Sequence, residues 1–393
     1  MHVSRRVADL PLSMTLALDA RAKELASAGR DVVNMTIGEP DFSAPAVCRE
    51  AAVARISSGD VKYTQAAGTP SLRKALATQV STTREVQYTA SEIVVCHSAK
   101  HALSGALFCL IEPGDEVLMP LPYWVSYADL VRLAGGVPVP VPSTPDCRPD
   151  LARLAAAITP RTRGLLLNSP CNPTGVVWTR DELAGAVAVA ERHDLWIVSD
   201  EIYRRLTYGA VRALSPVQLS DAARRRTVIV DGASKAYAMT GYRIGFAAGP
   251  APIVDAIARF HSQMTGSPNA VSQAAYEAGL LHDPPEIPKM AAEFEKRRDL
   301  VMRVLAQLGL TAPRPDGAFY AFPNVERFLD ARGSMGFCQD LLEAQNLAIV
   351  PGSAFGLEGY VRLSYALGLP RIEEGLRRLG LFLSSRRPTA SKR

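Results

Sequence analysis

Chemistry in an α/β chain concentrates on polar residues that follow directly on buried strands, and this sequence has such residues at four strand ends. The apolar run 93–96 passes into His97, Ser98, Ala99 and Lys100, and then into a helix expected from His101. A helix N-terminus offers unpaired N–H groups and the positive end of a dipole, which suits a phosphate. The run 165–167 ends in Asn168-Ser169-Pro170-Cys171-Asn172-Pro173-Thr174-Gly175, a rigid turn that holds Asn172 at the sheet edge. The run 196–198 leads to Ser199-Asp200-Glu201-Ile202-Tyr203, and 228–230 leads to Asp231-Gly232-Ala233-Ser234-Lys235. Taken singly, Asp200 reads as well as a helix N-cap, Asn172 as a turn residue and Lys235 as a solvated loop lysine. Taken together they point to a site. Lysine is scarce here (Lys23, Lys62, Lys74, Lys100, Lys235, Lys289, Lys296, Lys392) against 44 basic residues in all. Among side chains only lysine readily forms a Schiff base with an aldehyde, so a lysine held at a strand end has a chemical reason to be there.

The elements that must position these residues alternate along the chain. From about residue 66 to 284, short strands at 93–96, 116–119, 137–139, 165–167, 196–198, 228–230 and 246–248 are separated by helical stretches. The best marked helix runs over 180–193, with Thr179 as N-cap and Glu182 three residues on, a capping box. Near-continuous apolar strands alternating with helices predict a mostly parallel sheet covered on both faces. Beyond residue 284 a long amphipathic helix is expected over 286–308, with Phe294, Val301, Leu305 and Leu308 on one stripe. Short strands follow at 319–321, 348–350 and 361–363. The expected division is an N-terminal arm and part of a small domain in 1–46, a large domain in 47–284 and a small α+β domain in 285–393.

Composition narrows the class. The chain has 393 residues, 48% hydrophobic and 21% charged, with 44 basic and 39 acidic residues for a net +5. That surplus is too small and dispersed for nucleic acid. Six cysteines without CxxC spacing and six histidines without an HExxH pair lead us to expect neither a disulfide framework nor a metal. No secretory leader or membrane-spanning run is visible, so a cytoplasmic location is expected. The basic stretch from Ser384 onward reads as a frayed tail.

These features, with further motifs in the same order, resemble the class I aminotransferases of pyridoxal-phosphate (PLP) fold type I, close to the bacterial aspartate/prephenate subgroup. The motifs are Gly38-Glu39-Pro40-Asp41-Phe42, Tyr63 within Lys62 to Gly68, Pro122-Tyr123-Trp124-Val125-Ser126-Tyr127, Asn168 to Gly175, Ser199 to Tyr203, Ser234-Lys235, Met239 to Gly245, and Val361-Arg362-Leu363-Ser364-Tyr365. The resemblance runs from Ser13 to about Leu379. It implies a large PLP-binding domain with a mostly parallel sheet between helices, a smaller α+β domain, and amino-group transfer from an α-amino acid to a 2-oxo acid by a ping-pong mechanism. A lyase or oxidase acting on a specialised amino acid uses the same fold and lysine, and is the alternative.

By the same resemblance, Lys235 carries the cofactor as a Schiff base and moves the proton. Asp200 keeps the pyridine nitrogen protonated. Tyr203 and Asn172 bond the ring's phenolic oxygen, and Trp124 stacks on the ring. Ser98, Ala99, Lys100, Ser234 and Arg243 hold the phosphate. Tyr63 joins them from a neighbouring subunit, so a homodimer with shared active sites is implied. Arg362 takes the substrate α-carboxylate as a bidentate fork, assisted by Asn172, and Gly38 lets the N-terminal segment close over it. Lys100, Ser13 and Thr15 fall where the subgroup reads a distal carboxylate, so the donor is expected to be acidic, aspartate or glutamate. Ser98 and Cys171 depart from the residues common in that subgroup.

Overall fold

The computed structural model describes residues 2–8, Leu10 and 14–386. In chain order its strands are β1 (Val33–Asn34), β2 (Ile93–Cys96), β3 (Glu116–Pro120), β4 (Val137–Val141), β5 (Thr162–Asn168), β6 (Trp196–Asp200), β7 (Thr227–Gly232), β8 (Gly245–Ala248), β9 (Tyr320–Ala321), β10 (Leu347–Ala348), β11 (Val350–Pro351) and β12 (Val361–Ser364). A 7-stranded sheet has the order β2-β8-β7-β6-β5-β3-β4. All its neighbours are parallel except those of β8, which runs antiparallel to both β2 and β7. This is an α/β fold with a mostly parallel central sheet.

The apolar runs lie in this sheet because both of its faces are covered. On one face Val94, Cys96, Leu166, Val198, Val228, Val230 and Ala247 pack with the helices Ala99–Leu110 and Ala251–Met264. Their neighbours along each strand face the other way. Ile93, Val95, Ile229 and Phe246 meet residues of the helices Ala46–Ser57, Pro70–Arg84 and Ala270–His282, while Leu165, Leu167 and Ile197 meet the helix Arg180–Arg192. The period-2 alternation of a strand therefore serves two cores at once, each buried Val, Leu or Ile contributing about 1.5–3 kcal/mol. The expected capping box is present: Thr179 Oγ1 accepts from the Glu182 N–H at 3.2 Å and Glu182 accepts from the Thr179 N–H at 2.7 Å.

A separate core joins the two ends of the chain. Leu18, Ala22, Val33 and Met35 pack with Phe294, Val301, Leu305, Phe337, Leu341, Leu376 and Leu379. β1 pairs in parallel with β10, and β11-β12-β9 form an antiparallel sheet. The helix expected over 286–308 spans Glu286–Gln307 and buries Phe294, Val301 and Leu305.

Three local expectations are corrected. The strand expected at 348–350 is two strands, since Leu347–Ala348 pairs with β1 and Val350–Pro351 turns to pair with β12. The helix expected from His101 starts at Ala99, because Ser98 caps it by accepting from the His101 N–H at 3.1 Å. The tail does not fray at Ser384, since the helix Leu369–Ser385 continues and Arg386 pairs with Asp340 and donates to the Phe328 carbonyl; residues 387–393 lie outside the described residues. Among the described residues no helix is long and apolar enough to cross a membrane.

Candidate active site

The carboxyl ends of β5, β6 and β7 open into a cavity of about 560 Å³. Its lining includes Gly38, Ser98, Ala99, Lys100, Trp124, Asn172, Asp200, Tyr203, Ser234, Lys235, Arg243 and Arg362. The sheet brings together side chains from distant parts of the chain, because parallel strands deliver their ends to one edge.

Asp200 ends β6 and is 5% exposed. Its Oδ2 accepts from the Tyr127 hydroxyl at 2.7 Å and its Oδ1 from the Ile202 N–H at 3.2 Å. Burial pushes its carboxyl up to about 6, against the pull of those two donors. A carboxylate so placed favours a cationic partner. Asn168 ends β5 beside it, donating Nδ2 to the Asp200 carbonyl at 3.0 Å and accepting from the Asn172 N–H at 2.9 Å. That bond holds the Asn172 side chain toward Arg362, whose Nη1 donates to Asn172 Oδ1 at 3.0 Å. Arg362 Nη2 donates to the Thr36 carbonyl at 2.6 Å, and its Nε is buried without a partner. The guanidinium lies 4.5 Å over the Tyr320 ring, and the Tyr320 hydroxyl meets that of Tyr203 at 2.9 Å.

Lys235 follows β7 and extends to the N-terminal segment, where Nζ donates to the Gly38 carbonyl. Burial, with the Arg362 and Arg243 charges, brings its ammonium down to about 8, although Glu39 and Asp200 oppose the fall. The turn after β2 lies across from it. Gly245 allows β8 to approach this turn: a Cβ there would stand 2.4 Å from the Ala99 nitrogen and 2.5 Å from the Ser98 carbonyl carbon. Arg243, just before β8, adopts a left-handed backbone conformation (φ 53°) and donates to the Thr240 carbonyl at 2.7 Å. Lys100 Nζ rests 4.7 Å from the Trp124 ring centre, its ammonium lowered by burial and by Arg243.

Tyr63 is set apart from this group, with 96% of its surface exposed and no place in the cavity lining. Thr15 sits in the first turn of the helix Met14–Ser27. Ser13 lies outside the described residues. Several lining residues carried no sequence signal of their own. Tyr127 stands three residues after Trp124 in a motif quoted for its resemblance alone. Tyr320 reads only as a strand residue, Glu39 and Thr240 appear only inside motifs quoted for the resemblance, and Asp19, Lys23, Asn34 and Thr36 carry no site reading. Beneath the strand ends, the buried Arg84 pairs with Glu201 at 2.8 Å and Asp231 at 2.9 Å, which anchors the neighbour of Asp200 and the end of β7. A ligand suited to these donors has an anionic group at the turn near Ser98 and Arg243 and a cationic group at Asp200. An electrophilic carbon suits Lys235, and a carboxylate suits Arg362.

The family model for class I and II aminotransferases matches residues 30–379. The aspartate aminotransferase of Geobacillus stearothermophilus is 40% identical over 98% of this chain and 100% of its own length. A probable aspartate/prephenate aminotransferase of Thermus aquaticus is 42% identical, over 96% of this chain and 98% of its own. The aspartate aminotransferase of Thermus thermophilus solved with maleate superposes with a TM-score of 0.93 at 40% identity, covering 97% of this chain and 100% of that one.

Proposed function

This chain belongs to the class I and II aminotransferases, PLP-dependent enzymes that move an amino group from an amino acid to a 2-oxo acid, and from that premise we propose the division of work among its residues. Full-length relatives named as aminotransferases do not favour the lyase or oxidase alternative. The observation that carries the proposal is the convergence of Lys235, Asp200, Arg243 and Arg362 on one cavity.

Bound PLP supplies an aldehyde for the amino group and a protonated ring that withdraws electrons from the substrate Cα. Lys235 holds the cofactor covalently. When its Nζ is free, Lys235 would carry the proton from the substrate Cα to the cofactor's C4′, a task suited to an amine lowered to about 8. Asp200 holds the ring nitrogen in its protonated form, and Tyr127 fixes the carboxylate by donating at 2.7 Å. Tyr203 and Asn172 hold the phenolic oxygen and Trp124 covers the ring. The N–H groups of Ser98, Ala99 and Lys100, with Ser234 and Arg243, hold the phosphate. Arg362 takes the substrate α-carboxylate beside Asn172. Its unpaired Nε adds a donor for that fork. Gly38 belongs to the segment that excludes water, since its carbonyl already meets Lys235.

The finer reading is an acidic donor, aspartate or glutamate. Lys100 supports it as a cation in the cavity, and the relatives are named for aspartate. Its ammonium rests against Trp124, so a distal carboxylate has to draw it from that ring. Ser13 and Thr15 remain its proposed helpers. The working unit is taken as a homodimer in which an exposed Tyr63 reaches the partner's phosphate, and its setting as the cytoplasm, in keeping with six free cysteines. Residues 47–284 are taken as the PLP-binding domain, and 1–46 with 285–393 as the smaller one.

The test adds single amino acids to the PLP-loaded protein without a keto acid and follows the visible band. Fast loss of the band with aspartate or glutamate, its return with a 2-oxo acid, and a far larger KM increase for those donors than for an uncharged one in Lys100→Ala are expected. Equal loss with charged and uncharged donors in that variant refutes the distal-carboxylate reading. A full-activity monomer in sedimentation refutes the shared-site dimer.

A further inference from the structure

Behind the turn after β2 lies a cluster that transamination does not use. Cys96 ends β2, His101 stands in the first turn of the helix Ala99–Leu110, and His261 stands on the helix Ala251–Met264. One ligand atom from each lies within 4.8 Å of the others. His97 borders the same group, its ring centre 5.3 Å from that of His261 and 5.7 Å from that of His101. Cys96 and His261 are both 0% exposed.

Several polar atoms here lack partners, although Cys96 Sγ reaches the Val94 carbonyl at 4.0 Å and the Ser267 backbone faces His97. Both ring nitrogens of His261 and the Nε2 of His97 are buried without a hydrogen bond. The backbone at Ala66 and Val95 faces the His261 ring, but neither group closes a bond of ordinary geometry. His101 Nδ1 takes only a long contact from the His97 N–H, at 3.4 Å. A buried polar atom left unpaired is destabilising, so several around one point mark a ligand site.

We propose that Cys96, His101 and His261, with His97 as the fourth donor, form a binding site for a thiophilic divalent cation of the Zn²⁺ class. One thiolate with imidazoles is a borderline-soft set that suits Zn²⁺ or Co²⁺ and offers Mg²⁺ and Ca²⁺ no oxygen ligand. Bonds of about 2.0 Å to nitrogen and 2.3 Å to sulfur put tetrahedral donors roughly 3.3–3.8 Å apart, so side-chain rotations on the order of 1 Å close the site. Both ring nitrogens of His261 are buried without a hydrogen-bond partner, which leaves one free to ligate. Cys96, its thiol pushed up to about 12 by burial, gives its proton to solvent as the sulfur–metal bond forms, with no change of oxidation state. His97 also faces the positive charge of Arg243, whose effect opposes binding. With four protein donors the site is closed, and the cation ties the end of β2 and the start of the next helix to Ala251–Met264. Motif reading misses it because the donors come from a strand end and two helices far apart in the chain.

The test titrates PLP-loaded protein, freed of metal by a chelator, with Co²⁺ in the absence of amino acid. One Co²⁺ per chain is expected, with tetrahedral visible bands beyond the cofactor's absorption and a thiolate charge-transfer band in the difference spectrum. Zn²⁺ is expected to displace it. Both features are expected to vanish in Cys96→Ser and His261→Gln variants that keep wild-type circular dichroism and PLP content. Failure to bind one equivalent, or bands that persist in either variant, overturns the proposal. If the variants do not fold, X-ray absorption at the cobalt edge of the wild type decides: a sulfur in a nitrogen-rich shell supports the site, and a shell without sulfur overturns it.

Discussion

Asp200→Asn is expected to stabilise the cofactor-free chain while it cripples turnover. Burial raises the Asp200 carboxyl from 3.8 to about 6. A group raised in the folded state contributes stability below its unfolded value and loses it as pH climbs through the folded value. The ionised carboxylate therefore weighs on the empty chain at neutral pH, by about 3 kcal/mol for about 2 units. Asparagine does not titrate. Its oxygen can still accept from the Ile202 N–H, and its amide can donate to the Tyr127 oxygen, so both Asp200 contacts survive. The stability gap between variant and wild type should then widen by about 2–3 kcal/mol from pH 4 to pH 8. With an unfolding entropy of about 2.1 cal/mol/K per residue, that is a rise of about 3 °C in the Tm difference for a chain of this length. Calorimetry of both proteins, stripped of PLP and at equal concentration, measures it. With PLP restored, losing a charge-assisted bond of about 1.5–3 kcal/mol should slow Cα proton removal at least roughly tenfold. A Tm difference that does not change with pH, or unchanged turnover, refutes the assignment of Asp200 as a buried carboxylate awaiting a cationic ring.

Three further outcomes follow from the same geometry. PLP capture by the empty protein should speed up with pH and level off above about 8, because Lys235 must lose its proton first; stopped-flow absorbance that keeps rising toward the range of an ordinary lysine rejects the lowered ammonium. Gly245→Ala should weaken PLP retention at least roughly tenfold, since the new methyl meets the Ala99 nitrogen at 2.4 Å and the turn must move; equilibrium dialysis that finds unchanged affinity removes this turn from the phosphate site. Arg362→Lys should raise KM for every amino acid donor by roughly tenfold to a hundredfold, because an ammonium cannot reproduce the fork; steady-state kinetics with an effect confined to acidic donors would move Arg362 to the side-chain pocket.

Strand ends were the most legible part of the sequence. β2 begins and ends as read, and Asn172, Asp200 and Lys235 reach the cavity from the three strand ends assigned to them. Apolar runs buried on both faces are hard to mistake, and the polar residue that ends each run is placed by the sheet itself. Tyr127 and Tyr320 were not legible as site residues, because an aromatic among apolar neighbours reads as core until its hydroxyl is found on Asp200 or Tyr203. The split of 348–350 depends on pairing with Val33–Asn34, a contact across most of the chain that local pattern does not carry. Arg84 likewise sits in a helix as an ordinary arginine, and only the fold brings it to Glu201 and Asp231.

The most direct test of the central assignment is to load the protein with PLP, reduce it with borohydride, and map the modified peptide by mass spectrometry. The expected result is a single PLP-modified lysine, Lys235, and loss of both the modification and amino-group transfer in Lys235→Ala. A modification at another lysine, or a Lys235→Ala protein that still transfers amino groups at the wild-type rate, would contradict the account at its foundation.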